Sequence, residues 1–459
     1  MPAIHNQDIA EEFVTSNDYK KNLMYHIEYD LFYLWQGTWY KPIVNHKMQK
    51  LVWNFIRAKF PGKNVTKQLV GDIVAQIKWA CLKTIDKEDT HYLSLKDKIL
   101  NLINFQPEEI SKDKMSTFYL PFHYDELSTE TPHFNKFLET SIVKLDKKTQ
   151  EFVPDKGLIN LVQEMFGFFL LGNMKGASAF FLVGGGANGK SVMADILKEM
   201  FTKEFCSAMS IQTLTTNLFS TPHLIGKKIN ISAEEESKFM QADKFKALVT
   251  GDMVSAERKF GEQFEFEPTT KYLFASNKLP TFAGMDYGLK RRIKIIPFLR
   301  TFKGDKVDHN LIDKIKKERA GIIAWAIKGA ERFVKHNYTF SKAKASTEAM
   351  IEFESEISGA VRFVRENYEV DDDVFISNDD LYSQYREWCS INGKKPMSSH
   401  NFARDITQNI QGVKSKTGRV NDTTKRGKNI RLVTDFDNIM RETEKSGKEE
   451  IDVEQIPMI

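Results

Sequence analysis

The chain has 459 residues, 41% hydrophobic and 12% aromatic, enough to bury sizeable cores and, at about 100–200 residues per domain, to form two to four of them. Charged residues make up 28% and no run of 18 uninterrupted apolar residues occurs, which excludes global disorder and a transmembrane helix. Lys and Arg (66) barely exceed Asp and Glu (62), and Cys81, Cys206 and Cys389 lie far apart; the charge has to act locally, and the cysteines suit a reducing cytoplasm.

Residues 1–150 read as an aromatic-rich, helical leader. Tyr33 to Tyr40 alternates around Gly37 like a short hairpin, and Met48, Leu51, Val52, Phe55 and Ile56 recur at helical spacing. Leu69–Leu82 and Leu95–Ile103 read as further amphipathic helices, and Leu120–Pro132 as a connection. Glu28 and Asp30 would share one face of a strand, as a metal-binding pair needs. Only about thirty residues precede them, so the solvated face of a helix is the better reading.

Residues 151–345 alternate short apolar runs with helical stretches, the pattern of a parallel sheet joined by helices. Phe180–Val183 leads into Gly184, Gly185, Gly186, Ala187, Asn188, Gly189, Lys190 and Ser191, and Val192 opens a helical stretch. This is the strand, G-x-x-x-x-G-K-S loop and helix of a P-loop. Its glycines let backbone N–H groups face phosphates, Lys190 would reach the β- and γ-phosphates of ATP, and Ser191 would ligate Mg²⁺. Ile229 and Ile231 alternate as a strand before Glu234, Glu235 and Glu236, 44 residues beyond Lys190; such carboxylates hold the metal and polarise water. Lys271–Asn277 is an apolar strand ending in an Asn that can act as a phosphate or water sensor, or simply make a turn before Pro280. Val254–Phe264 reads as two strands around a turn bearing Arg258, Lys259 and Phe260. Arg291 and Arg292 precede the strand Ile293–Phe298.

Residues 355–436 offer helices at Asp379–Cys389 and Ser399–Ile410. Gly412–Arg431 follows with seven basic residues (Lys414, Lys416, Arg419, Lys425, Arg426, Lys428, Arg431) against Asp422 alone. Two helices and a basic hairpin outline a winged helix that binds DNA. From Arg441 on, six acidic residues stand against three basic, a composition expected of a disordered tail, here 437–459.

In this order and spacing, the P-loop, Ile231–Glu235, Thr250-Gly251-Asp252 to Phe260, Phe264–Pro268, Phe274–Pro280 and Arg291-Arg292 to Phe298 resemble the superfamily 3 helicases. These are a branch of the AAA+ ATPases, and the nearer likeness is to the helicase portion of phage, plasmid and poxvirus-type primase-helicases. Ala233 stands where relatives often carry an acid, which leaves the division of roles between Glu234 and Glu235 open, and no primase domain is expected. The resemblance implies an α/β fold: an AAA+ P-loop core, a helical N-terminal domain and a C-terminal winged helix. It implies an ATP- and Mg²⁺-dependent DNA helicase that forms a homo-oligomeric ring of six. Such a ring translocates 3′ to 5′ on single-stranded or forked DNA at the origin of a phage or mobile element, in the cytoplasm of a bacterial host. Origin duplex and a separate primase are further expected partners; the alternative is an origin-binding initiator ATPase that melts or marks DNA. Within the resemblance, Arg258, Lys259 and Phe260 grip DNA in the pore, and Arg292 or Arg291 is an arginine finger acting on a neighbouring subunit.

Overall fold

The computed structural model describes residues 5–16, 19–27, 29–82, 91–233, 239–258, 263–283, 287–302, 308, 310–410, 412–420 and 423–433. The chain divides into two units. One joins 1–143, 154–283 and 291–346; the other joins 144–153, 284–290 and the described residues from 347 onward.

The first unit opens with α1 (Asn6–Thr15), the antiparallel strands β1 (Leu23–His26), β2 (Leu31–Trp35) and β3 (Tyr40–Ile43), then α2 (Asn45–Lys59) and α3 (Lys67–Ala80). Trp35 pairs with Tyr40 across a turn in which Gly37 has φ 91°. The helical stripes Met48, Val52, Ile56 and Val70, Ile73, Val74, Ile77 close over Phe32 and Ile43, as their spacing requires. A second antiparallel sheet follows, β4 (Tyr92–Ser94), β5 (Ile99–Asn101) and β6 (Pro107–Glu108). The N-terminal part is therefore mixed rather than helical, and 95–103 is not a helix. Leu95 N–H donates to Lys98 O at 2.8 Å and closes a turn that sets Leu93 opposite Leu100. Those side chains join a core with Trp39 and Phe118 that no local spacing announces. Next comes α4 (Pro132–Ser141); the hairpin of β7 (Val143–Leu145) and β8 (Phe152–Pro154) that follows lies mostly in the second unit.

The centre of the unit contains α5 (Lys156–Leu170), β9 (Ala179–Val183), α6 (Lys190–Phe205), β10 (Cys206–Ser207), α7 (Ile211–Thr216) and β11 (Ile229–Ser232). These lead to β12 (Phe239–Gln241), α8 (Ala242–Thr250), the hairpin β13 (Val254–Glu257) and β14 (Gln263–Phe266), and β15 (Lys271–Ser276). After β16 (Thr281–Ala283) the chain passes through α9 (Tyr287–Lys290), which belongs to the second unit, and returns to the first with β17 (Ile293–Pro297), α10 (Leu311–Lys316) and α11 (Arg319–Lys335). Five strands form one parallel sheet in the order β10-β11-β15-β9-β17. Alternation sends Phe180 and Leu182 into the core shared with α5, α6 and α11, while Phe181 and Phe274 meet Phe245 of α8 on the other face. Both faces are thus covered, and apolar strands without polar alternation are what such a sheet needs.

The later elements are α12 (Lys344–Ile357), α13 (Gly359–Asn367), β18 (Tyr368–Val370), β19 (Ile376–Ser377), α14 (Asn378–Ile391), α15 (Ser399–Asn409), β20 (Ser415–Val420), β21 (Thr423–Lys428) and β22 (Ile430–Leu432). The second unit has its own core of Phe363, Leu381, Tyr385, Phe402 and Ile406, with Tyr385 and Phe402 stacked at 4.4 Å. Ser377 and Ser398 cap α14 and α15 by accepting from Asp380 N–H and Asn401 N–H. Lys290 and Arg365 share the Glu354 carboxylate.

Two lysines lie buried at the amino edge of the parallel sheet. Lys271 donates to Leu171 O at 2.6 Å and Thr269 O at 3.1 Å, and the Lys228 ammonium sits 4.9 Å over the Phe118 ring. Burial pushes the Lys228 pKa down to about 8 from 10.5, and drives Lys271 down as well, with the Lys228 charge adding to it. Below pH 8 the folded chain carries the full cost of the buried charge. Between about pH 8 and 10.5 only the unfolded chain keeps the proton, so this group's contribution to stability rises with pH. Lys228→Met is expected to stabilise the fold by about 1–3 kcal/mol at pH 7. Urea unfolding from pH 7 to 10.5 should show the advantage over wild type shrinking as pH rises.

Candidate functional site

The loop between β9 and α6 is the P-loop of the sequence pattern, at the carboxyl edge of the sheet. Gly189 turns the chain at φ 99°, and a Cβ on Gly184 would stand 2.3 Å from Phe298 O; both places exclude any other residue. Asn188 is buried, with its Nδ2 directed at Phe298 O at 3.4 Å. Lys190 is 8% exposed. Its ammonium donates to Gly184 O at 2.6 Å, Gly185 O at 2.7 Å, Asn188 Oδ1 at 3.3 Å and Asn277 Oδ1 at 3.2 Å. Burial lowers its pKa from the ordinary lysine value. Asn277 reaches it because β15 is the neighbour of β9, with Ser276 paired to Val183. Ser191 lies exposed at the first turn of α6, next to half-buried Val192.

A cavity of about 1340 Å³ opens over this loop. Gly186 to Val192 form its floor, with Ala233, Ser276, Asn277 and Lys278 from the ends of β11 and β15. Glu234, Glu235 and Glu236 lie outside the described residues, but Ser232 ends β11 and Ala233 already lines the cavity. The remaining walls come from segments that sequence motifs did not single out. From α4 come His133, Lys136, Phe137, Thr140 and Ser141; from the stretch after β17 come Arg300, Phe302, Asp308, Leu311 and Lys314. Glu318, 5% exposed, fixes α4 by accepting from the N–H groups of His133 and Phe134 and bonding His133 Nδ1 at 2.6 Å. Phe302 N–H donates to Ala187 O at 2.7 Å, and the Arg300 guanidinium lies 5.3 Å over the Phe302 ring. Glycine cradle, buried ammonium, exposed serine hydroxyl and roomy cavity together fit a nucleoside triphosphate with its metal. Among the described residues no group of three His, Cys, Asp or Glu could hold a metal ion without phosphate oxygens.

Arg291 and Arg292 stand elsewhere. Arg292 O accepts from Ala179 N–H at 2.7 Å, which places the pair at the amino edge of the sheet, opposite the P-loop. The hairpin β13–β14 pairs Val254 with Phe266 and Glu257 with Gln263. Lys259 and Phe260, which come between these strands in the sequence, lie outside the described residues. Arg258 is engaged: it donates to Asp30 Oδ2 at 3.0 Å and to Tyr29 O, and its guanidinium lies 4.8 Å over Phe264. Asp30 also takes Lys78 Nζ at 2.6 Å and Tyr25 O–H at 2.8 Å. It occupies the β1–β2 turn with φ 44°, so it is an ion-cluster centre, not the solvated face of a helix. Glu28 lies outside the described residues.

Three family models match the chain: D5 N terminal like over 11–143, a family of unknown function (DUF5906) over 182–292, and poxvirus D5 protein-like over 360–438. Both flanks of the P-loop segment thus carry D5-type sequence. These matches make the chain similar to D5-type proteins. A protein of Acanthamoeba polyphaga mimivirus, provisionally described as a helicase (L207/L206), is 27% identical over 326 residues, 65% of this chain. The chain spans about a third of that protein's length, 32%. Among solved structures, two apo forms of the NrS-1 C-terminal region are similar. One has 16% identity and a TM-score of 0.47, covering 91% of this chain and 97% of that one. The other has 15% identity and a TM-score of 0.44, covering 93% and 99%.

In this D5-like chain the basic hairpin is β20–β21, with Arg419 paired to Thr424 and Arg426 to Thr417. Arg419 and Arg426 are exposed. Lys414 faces Asp372 at 3.4 Å, Lys425 faces Asp379 at 3.3 Å, and Lys416 donates to the carbonyls of Asp372 and Val374. Lys428 is not a surface cation. It is 3% exposed and donates to Thr407 Oγ1 and Ser415 Oγ. Of the residues missed in the sequence, α4 had a legible signal: Phe134, Phe137 and Leu138 at helical spacing after Thr131-Pro132. Nothing local shows that its polar face meets the P-loop.

The Asp30 cluster yields a test. Its side chains are 26–34% exposed, so water screens the charges in part. Asp30→Asn should lower stability by about 1 kcal/mol, read by urea unfolding. It should also bring the Tyr25 hydroxyl back toward its ordinary pKa, since burial first and Asp30 second hold it raised. An ultraviolet titration of Tyr25 unchanged by the substitution would dismiss the Asp30 contribution.

Proposed function

We propose that the chain is a DNA-dependent ATPase and ring-forming helicase of a phage or mobile element, with an AAA+ core and a winged-helix module at 355–436. The carrying observation is that Lys190 and Asn277 meet at the carboxyl ends of adjacent parallel strands, beneath a cavity of about 1340 Å³. The sheet order supports the AAA+ reading, because it sets the sensor strand β15 between the P-loop strand and the strand that leads to Glu234. The series α13, β18–β19, α14, α15 and a two-stranded hairpin supports the winged helix.

In this reading Lys190 leaves its loop carbonyls for the β- and γ-phosphates of ATP, and backbone N–H groups of 184–191 cradle them. Ser191 and Glu234 would hold Mg²⁺, which neutralises phosphate charge. One of Glu234 and Glu235 polarises the attacking water, and Asn277 orients it. Phe137, Phe302 and Leu311 offer apolar walls to the rest of the nucleotide. Lys259 and Phe260 grip single-stranded DNA; Arg258 joins them only by exchanging the Asp30 carboxylate for a phosphate. The family likeness supports six subunits, 3′-to-5′ movement and a separate primase as partner. Strand displacement on a forked substrate separates this helicase from an initiator that melts or marks an origin without processive unwinding.

ATP hydrolysis with and without single-stranded DNA, alongside native mass with a nucleotide analogue, tests the reading directly. Lys190→Ala should abolish hydrolysis, and Glu234→Gln should bind ATP yet hydrolyse it slowly. Arg292→Ala should slow hydrolysis by about 10³-fold or more. Mixing Arg292→Ala with Lys190→Ala should restore part of the activity, because some interfaces then carry an intact lysine and an intact arginine. No recovery in rings shown to be mixed would reject an arginine supplied in trans. For the pore, Lys259→Ala should lower strand displacement per ATP hydrolysed by about tenfold; an unchanged ratio removes Lys259 from the grip.

A further inference from the structure

The α14–turn–α15 pair leaves one helix face without a structural task. Phe402 and Ile406 bury the inner side of α15, whereas Ser399, His400, Asn401, Arg404 and Gln408 are exposed. Asn401, Arg404 and Gln408 follow at i, i+3 and i+7, so they line one stripe. The helix has a single carboxylate, Asp405, and it is turned inward, accepting from Ser358 Oγ and Asn409 Nδ2. The stripe is therefore free of negative charge. Its one internal bond, Arg404 to Asn401 Oδ1 at 3.1 Å, leaves further donors on both side chains.

Basic residues precede and follow α15 in the chain. Buried Lys428 ties Thr407 of α15 to Ser415 of β20. The hairpin in turn lies on Phe375, whose ring is so near that a Cβ on Gly418 or Gly427 would come within 2.7 or 2.5 Å of it. Lys428 thus ties the helix to the hairpin. Exposed Lys395 stands in the turn before α15, and exposed Arg419 and Arg426 on the hairpin.

We infer that α15 reads sequence in duplex DNA, with Asn401, Arg404 and Gln408 in the major groove and Lys395, Arg419 and Arg426 on flanking phosphates. Arg pairs bidentately with guanine, and Asn or Gln with adenine; the second helix of a helix–turn–helix presents such side chains to base edges. Phosphate contacts alone would attract any nucleic acid, whereas a stripe of amide and guanidinium groups discriminates. This rests on the reading that the second unit meets DNA, and it adds a site that recognises a particular duplex in addition to the strand held during translocation.

The test is selection of duplexes from a random library by the full chain, followed by fluorescence anisotropy at fixed salt. The enriched duplex should bind at least about tenfold more tightly than its shuffled version. Arg404→Ala and Asn401→Ala should bring the two within about threefold. Arg404→Lys, which keeps the charge but loses the fork, should lose the preference as Arg404→Ala does. Arg419→Ala with Arg426→Ala should weaken both duplexes alike and flatten the salt dependence. A library that yields no enriched sequence, or a preference that survives the Asn401 and Arg404 substitutions, overturns the inference. If wild type shows DNA-stimulated ATPase but no duplex preference, only the α15 reading falls; if it binds no DNA at all, the helicase reading falls with it.

Discussion

A lysine ammonium is expensive to bury, and among the described residues the one at position 190 is buried with neutral oxygens as its partners. Two loop carbonyls and two asparagine oxygens accept its hydrogen bonds. These oxygens converge only if the backbone curls tightly after β9 and if β15 is the next strand in the sheet. The first condition accounts for the crowding at Gly184 and the turn at Gly189; the second is met by the sheet order. The strands are apolar on both faces, so helices must cover them, and chemistry is left to the strand ends.

The same loop organises more distant chain. Phe298 continues the β17 ladder to Val183 O and closes on Gly184, and Phe302 bonds Ala187. The chain after β17 is thereby drawn across the cavity. On the other side, Phe137 and Ser141 of α4 lie against Gly189, and Glu318 at the foot of α11 fixes the start of that helix. The D5-type N-terminal segment is thus part of the wall of the P-loop cavity. A change in α4 would be felt at the phosphate loop through contact alone.

What was legible in the sequence was what local chemistry decides. The P-loop, β11, β15, β17, the three hairpins β2–β3, β13–β14 and β20–β21, and α14–α15 follow from glycine spacing, apolar runs and turn residues, and they stand where those signals put them. Residues 95–103 were misread because Leu95, Ile99 and Leu102 suit a helix as well as a hairpin, and the choice is made by Trp39 and Phe118 from elsewhere. Asp30 and Lys428 were misread for a related reason. A charged residue in a polar stretch looks solvated until the fold brings Lys78 and Arg258 to one, and Thr407 and Ser415 to the other. The cavity walls from α4 and 300–314 were invisible because their function lies in juxtaposition, not in a motif.

The position of the arginine pair constrains how the site could be completed. Ile293 is paired with Ala179 and Pro297 with Val183, so Arg292 and the P-loop stand at opposite ends of β9 and β17. Five residues of parallel strand span about 16 Å, and helices pack on both faces between those ends. An arginine side chain at the amino edge cannot cross that span to phosphates held at the carboxyl edge of its own sheet. Within one copy, Arg291 and Arg292 are therefore confined to the amino edge. They can stabilise a transferred phosphoryl group only if a second copy presents its carboxyl edge to them, and repeated around a closed ring that arrangement gives every cavity an arginine from its neighbour.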